Sequence, residues 1–256
     1  MLEVADIGIS FGGLAALRDI SFTVEPGQVL SVIGPNGAGK TTLFNIITGF
    51  LKPTTGQVTY EGRSITGMPP NRIARAGIVR TFQKTEVFPE LSVLACVRVG
   101  FLCHQPFSVW DVVLRWQKTH DFRTESTRKA RQLLDFVGLA DKSDSMATAL
   151  SYGEQRLLEV AVGLAAEPRL ILLDEPASGM NIEESERMIN LIGRLRERGM
   201  TVLLVEHNMS VVMGISDRIV VLNYGQKIAD GGPDQIADDP EVISAYLGQG
   251  WKDAAA

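Results

Sequence analysis

The chain has 256 residues, which fits one large domain or one domain with a modest insertion. Its formal net charge of −5 argues against a nucleic-acid-binding protein, because such proteins normally carry a basic field. The first ten residues contain two acidic side chains and no basic one, and no apolar run approaches the ~18 residues that span a bilayer, so we expect a soluble, non-exported protein.

Short antiparallel strands are predicted for the first thirty residues. Apolar and polar side chains alternate there, and the turn pairs Gly12–Gly13 and Pro26–Gly27 separate the runs. Residues 29–33 are nearly all apolar, which predicts a strand buried on both faces of a parallel sheet. Similar runs at residues 170–173, 202–205 and 219–222, with helical stretches between them, indicate a wound α/β fold.

A phosphate-binding loop follows the first buried strand. Residues 34–41 match the pattern G-x-x-x-x-G-K-[ST] and precede an apolar helical run, which is the context that the motif requires. The glycines let backbone N–H groups close on phosphate oxygens, and the following helix directs its positive end at the anion. Lys40 is predicted to neutralise the β- and γ-phosphates, and Thr41 to bind Mg²⁺. The predicted ATP-binding residues of this loop are Gly34, Pro35, Asn36, Gly37, Ala38, Gly39, Lys40, Thr41 and Thr42.

The chain from about 85 to 150 lacks buried-strand runs and is predicted to be helical. Trp110, Val113 and Leu114 have helical spacing, as do apolar residues 133–137, and Gly138 is predicted to end the second helix. We predict a helical insertion over 85–160 in a core formed by 1–84 and 161–256. Cys96 and Cys103 fit no zinc or redox spacing and are expected to be reduced thiols in a packed helix.

A capped helix start is predicted at residues 150–154. Ser151 and Glu154 form an S-x-x-E capping box ahead of an apolar helical face. Taken alone, the pattern indicates only a well-capped helix. Because it includes the bare Gly153, the same helix start is also suited to binding an anion.

An acidic pair, Asp174 and Glu175, ends the buried run at 170–173. Asp174 is predicted to reach Mg²⁺, and Glu175 to polarise the attacking water. The alternative is a strand that ends in a solvated acidic turn, which the phosphate-binding loop elsewhere in the chain makes the weaker interpretation.

The order of these motifs resembles the ABC family of nucleotide-binding subunits. The resemblance implies that residues 150–154 are the family's LSGGQ signature, whose Ser151, Tyr152, Gly153 and Glu154 contact the ATP of a partner chain. It also implies that Gln83 is the Q-loop glutamine, with roles in catalysis and in binding Mg²⁺, that His207 is the switch histidine, and that Phe11 stacks on adenine. Outside this family pattern, Gln83 would be an ordinary loop residue, His207 a strand-end histidine and Phe11 a core side chain.

The family implies a P-loop NTPase (RecA-like) α/β core with an antiparallel β subdomain and an inserted α-helical subdomain. It also implies a head-to-tail dimer with a second ATPase subunit, identical or a sister chain. Two integral membrane permease subunits and, indirectly, an extracytoplasmic solute-binding protein are the further partners, with no nucleic acid. The expected location is peripheral, on the cytoplasmic face of the inner membrane, with ATP and Mg²⁺ as ligands.

Several segments resemble one branch, the ATP-binding subunits of branched-chain and hydrophobic amino-acid importers. These are LSYGEQR, RAGIVRTFQ, DEPASGMN and the ending IADGGPDQI…VISAYLG. Importers of urea or short amides look similar. Two more distant classes of protein stay open, a soluble ABC ATPase of DNA repair or translation and a regulatory subunit that barely hydrolyses ATP. The chain departs from the commonest family pattern at Tyr152 and Glu154, and at Asn181, where many relatives have aspartate.

Overall fold

The computed structural model describes residues 1–81, 88–104 and 116–246, which form two compact units. The first unit comprises Met1–Arg80 and the chain from Arg169 onward, and the second comprises Thr81–Pro168. Each is described separately below. Within the described residues, no helix combines the length and the apolar character needed to cross a bilayer.

The first unit contains ten strands and six helices among the residues that the structure describes. Before the second unit these are β1 (Leu2–Phe11), β2 (Leu14–Val24), β3 (Val29–Ile33), α1 (Lys40–Ile47), β4 (Thr55–Tyr60), β5 (Arg63–Ser64), α2 (Pro70–Ala76) and β6 (Ile78–Arg80). The second unit contributes α3 (Val93–Gly100), α4 (Trp116–Val137) and α5 (Tyr152–Ala165). After it come β7 (Leu170–Asp174), α6 (Ile182–Glu197), β8 (Thr201–Val205), α7 (Met209–Ile215), β9 (Arg218–Asn223), β10 (Gln226–Gly231), α8 (Pro233–Ala237) and α9 (Pro240–Tyr246).

An antiparallel sheet of four strands, in the order β2-β1-β4-β5, is formed by the first part of the chain. Val4 of β1 lies opposite Phe22 of β2 and Val58 of β4, so apolar side chains share one face of the sheet. The predicted antiparallel strands are confirmed for β1 and β2, with Gly12 and Gly13 at the turn between them.

The second sheet has six strands in the order β10-β9-β3-β8-β7-β6. Strands β9, β3, β8, β7 and β6 are parallel, and β10 pairs with β9 in the antiparallel direction. All residues of β3, β7 and β8 are buried, which confirms the buried parallel strands predicted from their apolar runs. Because these strands are parallel, their carboxyl ends meet at one edge, and this edge carries the candidate site.

The main hydrophobic core of the first unit joins the two sheets through α1. Leu43, Phe44 and Ile47 of α1 are fully buried and pack with apolar side chains of β1, β2 and β3. A second cluster contains Ile33, Met209, Val221 and Tyr246. Helix α1 is thus fixed firmly between the sheets. The loop that precedes α1 connects it to β3, so a buried element fixes each end of this loop.

The second unit is helical, as predicted. Helices α4 and α5 pack against each other and against α3, and Gly138, with φ 80°, ends the predicted second helix. The unit spans Thr81–Pro168 and includes the whole of α5, which continues to Ala165. The predicted division of the chain at about 85 and 160 stays a prediction. Trp110, Val113 and Leu114 lie outside the described residues.

Close packing of α3 on α5 explains a glycine in the second unit. A β-carbon on Gly100 would lie 2.4 Å from the carbonyl oxygen of Val162, so only glycine fits there. Cys96 is buried in α3, Cys103 is partly buried in the following turn, and both are free thiols, as expected.

Candidate active site

The phosphate-binding loop lies between the carboxyl end of β3 and the start of α1. Gly34 and Gly39 have φ angles of 152° and 103°, in the region that glycine alone adopts freely. A β-carbon on Gly34 would lie 2.1 Å from the Leu222 carbonyl oxygen, and one on Gly39 would lie 2.5 Å from Leu17 Cδ2. The loop therefore presents bare backbone, whose N–H groups can approach an anion closely.

Lys40 is the first residue of α1 and is buried against the loop. Its Nζ donates to the carbonyl oxygens of Gly34 at 2.6 Å and Pro35 at 3.0 Å. Burial lowers the pKa of Lys40, and the nearby carboxylates of Glu175 and Asp174 act in the opposite direction. Both acidic residues of the pair are thus close enough to the loop lysine for their charges to act on it.

Asp174 is buried at the carboxyl end of β7. Arg80, at the end of the neighbouring β6, donates from Nη2 to Asp174 Oδ2 at 2.5 Å. Arg80 also donates to Asn45 Oδ1 at 2.7 Å, and its guanidinium lies 5.5 Å from the centroid of the Phe44 ring. These contacts fix the Asp174 carboxylate, and sequence reasoning did not identify the arginine.

Glu175 has a left-handed backbone conformation, with φ 48°. This conformation is strained for a residue with a β-carbon. The Glu175 N–H donates to the Val205 carbonyl oxygen at 2.8 Å, and the Glu175 carbonyl accepts from Ser178 N at 3.1 Å. The turn projects the Glu175 side chain to 3.8 Å from His207, measured between Glu175 Oε1 and His207 Nδ1. Two of the three predicted catalytic side chains, Glu175 and His207, are therefore neighbours, and the third is Gln83.

Glu206, between β8 and His207, is fully buried. Burial raises its pKa, while hydrogen bonds from the backbone amides of Ala177, His207 and Asn208 act in the opposite direction. The sequence analysis assigned Glu206 no role, and the residue follows directly on β8, which ends at Val205. An acidic residue directly after a fully apolar run was the signal that could have identified it.

The oxygen donors at this edge fit a magnesium ion. Asp174 provides a buried carboxylate, and Thr41, exposed at the start of α1, provides a hydroxyl. Mg²⁺ prefers such hard oxygen ligands and is usually bound by one or two protein groups together with substrate phosphates. Clusters of three or more His, Cys, Asp or Glu that could hold a metal without a substrate do not occur among the described residues.

The structure does not test the predicted roles of two further site residues, Phe11 and Gln83. Phe11 ends β1 and is 50% exposed, so the alternative of a core side chain is wrong. Gln83 lies outside the described residues. Phe11 as an adenine contact and Gln83 as a catalytic and metal-binding residue stay predictions.

The signature segment, in the second unit, has the predicted capping box. The Ser151 hydroxyl accepts from Glu154 N at 3.3 Å, and Glu154 Oε2 accepts from Ser151 N at 2.9 Å. Burial opposes ionisation of Glu154, but hydrogen bonds from Lys142 and from the Ser151 amide hold its pKa below the usual value. Glu154, where the common pattern has glutamine, thus serves as the third helical residue of the capping box, and its carboxylate is favoured by these hydrogen bonds.

Tyr152 is held by the residue one turn further along α5. Arg156 donates to the Tyr152 hydroxyl from Nη2 at 2.9 Å and from Nε at 3.2 Å, and its guanidinium lies 5.3 Å from the ring centroid. Arg156 is itself buried and pairs with Glu159 at 3.1 Å. The tyrosine that replaces the first signature glycine therefore has a fixed position in this unit, and Gly153 beside it is buried.

Two family models match the chain. Residues 17–178 match the ABC transporter model, and residues 226–252 match the model described as branched-chain amino acid ATP-binding cassette transporter. The first match includes the phosphate-binding loop, the signature segment and the acidic pair.

Known relatives match the chain over almost its full length. The high-affinity branched-chain amino acid transport ATP-binding protein BraF of Pseudomonas aeruginosa is 43% identical, and the match covers 97% of this chain and 98% of BraF. LivG of Escherichia coli strain K12, described in the same words, is 40% identical with the same coverage. A crystal structure of an ATP-binding cassette of an ABC transporter, in its ADP conformation, superposes with a TM-score of 0.85 at 32% identity, covering 97% of this chain and 99% of that one.

Proposed function

Because the chain belongs to the ABC transporter family, and is an ATPase of that family, we propose that it hydrolyses Mg·ATP to power the import of branched-chain or other hydrophobic amino acids. The solute class rests on BraF and LivG, whose names give branched-chain amino acid transport. The match of residues 226–252 to a model of the same branch supports it independently of the ATP site.

One observation carries the catalytic part of the proposal. Glu175 and His207 lie 3.8 Å apart at the edge of the parallel sheet where the phosphate-binding loop begins. A site that only bound nucleotide would need Lys40 and the glycines, but no carboxylate and imidazole side by side at the carboxyl ends of the strands.

The proposed reaction uses groups of this chain in distinct roles. The loop amides and Lys40 bind the phosphates. Thr41 and Asp174, with Gln83, would hold Mg²⁺, which when bound would supply positive charge to offset that of the phosphates. Glu175 accepts a proton from a water whose oxygen attacks the γ-phosphorus, and the bond from that phosphorus to the ADP oxygen breaks. In this proposal His207 donates a hydrogen bond to the γ-phosphate, and Phe11 stacks on the adenine.

The assembly is part of the same proposal. One phosphate-binding loop covers the γ-phosphate from one side, so Ser151, Tyr152, Gly153 and Glu154 of a second ATPase subunit, identical or a sister chain, complete the site. Two integral membrane permease subunits receive the motion, and an extracytoplasmic solute-binding protein delivers the solute. The chain would lie peripherally on the cytoplasmic face of the inner membrane and bind no nucleic acid.

The test of the catalytic role is Glu175→Gln. Glutamine keeps the shape and the hydrogen bonding but cannot accept the proton, so turnover should fall by roughly 10²-fold or more while ATP still binds. The matched control is Glu186→Gln, the same substitution on the exposed side of α6. Wild-type turnover by Glu175→Gln in the assembled transporter would refute the assignment.

The solute class is tested by uptake. Vesicles that contain the assembled transporter should accumulate leucine, isoleucine and valine when ATP is supplied, and urea or acetamide should not compete. Uptake of urea or acetamide in preference to leucine would move the chain to the related importers of urea and short amides. Copurification with nucleic acid instead of a membrane protein would favour a soluble ABC ATPase.

A further inference from the structure

Glu206 is a buried carboxylate for which the reaction above has no use. It is fully buried, and it accepts hydrogen bonds from three backbone amides. Burying a charge is unfavourable unless hydrogen bonds compensate, so a buried carboxylate at this place calls for a specific role.

The two carboxylate oxygens bind two different loops. Oε1 accepts from Ala177 N at 2.9 Å, in the turn that begins at Glu175. Oε2 accepts from His207 N at 3.1 Å and from Asn208 N at 3.4 Å, in the loop that leads into α7. One side chain therefore joins the loop of the predicted general base to the loop of the predicted switch histidine.

The Glu175 turn needs such an anchor. With φ 48°, Glu175 has a conformation that persists only when the surrounding structure holds it. Its own N–H is held by Val205, which fixes the beginning of the turn. The hydrogen bond from Ala177 to Glu206 fixes the turn two residues later, and hydrogen bonds to charged acceptors are the stronger kind.

We propose that Glu206 is a positioning residue for ATP hydrolysis, which sets the separation of Glu175 and His207 by tying their two loops together. This inference rests on the function proposed above. It assigns Glu206 no contact with ATP. Loss of the hydrogen bonds between Glu206 and the two loops should leave nucleotide binding intact and impair the chemical step. A displacement of about 1 Å in a reacting group can lower a rate by roughly 10²-fold.

The main variant is Glu206→Gln, which fills the same volume but turns one acceptor oxygen into an NH₂ donor that faces a backbone N–H. Single-turnover hydrolysis by the full-length chain should slow by roughly 10-fold or more, while the Kd for Mg·ATP stays within about 2-fold because Lys40 and the loop are untouched. Amide hydrogen exchange should become roughly 10-fold faster in residues 175–180 or 207–208. Exchange in β3 and α1 should not change.

A double variant separates positioning from general stability. If Glu206 acts through Glu175, adding Glu206→Gln to Glu175→Gln should slow single turnover little further, since effects within one unit are not additive. Glu186→Gln, on an exposed face, is the control for loss of a carboxylate. Independent, additive losses in the double variant would overturn the proposal.

The remaining outcomes also decide it. Unchanged turnover in Glu206→Gln overturns the proposal, as does a parallel loss of ATP affinity with faster exchange throughout the first unit. If Glu206→Gln fails to fold, amide hydrogen exchange in the wild-type chain still tests the proposal. Unprotected amides at Ala177 and His207 would contradict their hydrogen bonds to Glu206. Full turnover in Glu175→Gln would instead refute the proposed function and leave the hydrogen-exchange result standing.

Discussion

At the scale of single residues, the buried ion pair of Arg80 and Asp174 combines stability with function. Both side chains are only 5–6% exposed, so each charge depends on the other for compensation. Asp174 is proposed to hold Mg²⁺, which means that Arg80 stabilises a carboxylate that the reaction needs in its charged form. The arginine is anchored in turn by Asn45 and Phe44 of α1.

Arg80→Met should therefore destabilise the chain by about 3–5 kcal/mol, because it leaves the Asp174 charge buried and unpaired. The free energy of unfolding, measured by urea denaturation, tests this. Arg128→Met is the matched control, because Arg128 pairs with Glu125 at 2.5 Å but both side chains are at least half exposed. An exposed pair contributes little to stability, because water and salt screen the attraction between its charges. An equal loss of unfolding free energy in Arg80→Met and Arg128→Met would contradict the assignment of the effect to burial of the Arg80–Asp174 pair.

At the scale of elements, Asn181 shows how a departure from the family pattern is accommodated. It is the N-cap of α6, where its side chain accepts from Glu184 N at 2.9 Å and Glu184 Oε2 accepts from Asn181 N at 3.2 Å. Asparagine and aspartate cap helices about equally well. Capping of α6 is thus a sufficient reason for a polar residue at position 181, and either asparagine or aspartate can fulfil it.

Asn181→Ala should lower stability by about 0.5–2 kcal/mol through loss of the cap, whereas Asn181→Asp should keep it. The control is Asn190→Ala, the same substitution at an exposed position within α6, where alanine favours the helix. Urea denaturation of the three variants provides the comparison. A loss in Asn190→Ala as large as that in Asn181→Ala would show that the cap is not the cause.

The elements differ in how far the sequence predicts them. Strands β3, β7 and β8 follow from uninterrupted apolar runs, because strands buried on both faces have no polar alternation. Strand β10 has no fully buried residue and was not predicted, since an edge strand pairs through its backbone and leaves little pattern in its side chains.

The candidate site was predictable to a similar extent. Lys40, Asp174 and Glu175 belong to local patterns of fixed spacing, which a single segment of chain is enough to define. Arg80 and Glu206 were not assigned roles, because their partners lie 94 and 29 positions away in the sequence, at Asp174 and Ala177. Buried charges depend on such distant partners, so the fold must be known before their role can be argued.

At the scale of the whole molecule, a transport ATPase must hold a membrane subunit as well as ATP. Residues 84–91 (KTEVFPEL) follow Gln83, precede α3 and carry the apolar Val87 and Phe88 beside charged residues, so we predict from the sequence that they dock to the membrane subunit. The alternative is that Phe88 folds back into the helical unit. Residues 84–87 lie outside the described part of the chain. Phe88 is described and is 46% exposed, which argues against the alternative that its ring is buried in the second unit. An exposed aromatic ring beside charged residues is typical of an anchor in a protein interface.

Phe88→Ala should therefore weaken assembly with the permease subunits by roughly 10-fold or more, the scale of a hot-spot residue, and lower solute uptake accordingly. Nucleotide binding by the isolated chain should stay near normal, because the phosphate-binding loop belongs to the first unit.

Leu102→Ala is the matched control for Phe88→Ala, since Leu102 is an apolar side chain of the second unit, like Phe88, and is 47% exposed. Copurification of tagged permease with each variant measures assembly. Equal assembly and uptake in Phe88→Ala and wild type would refute the docking role, and a variant that unfolds would show that the ring contributes to the core instead.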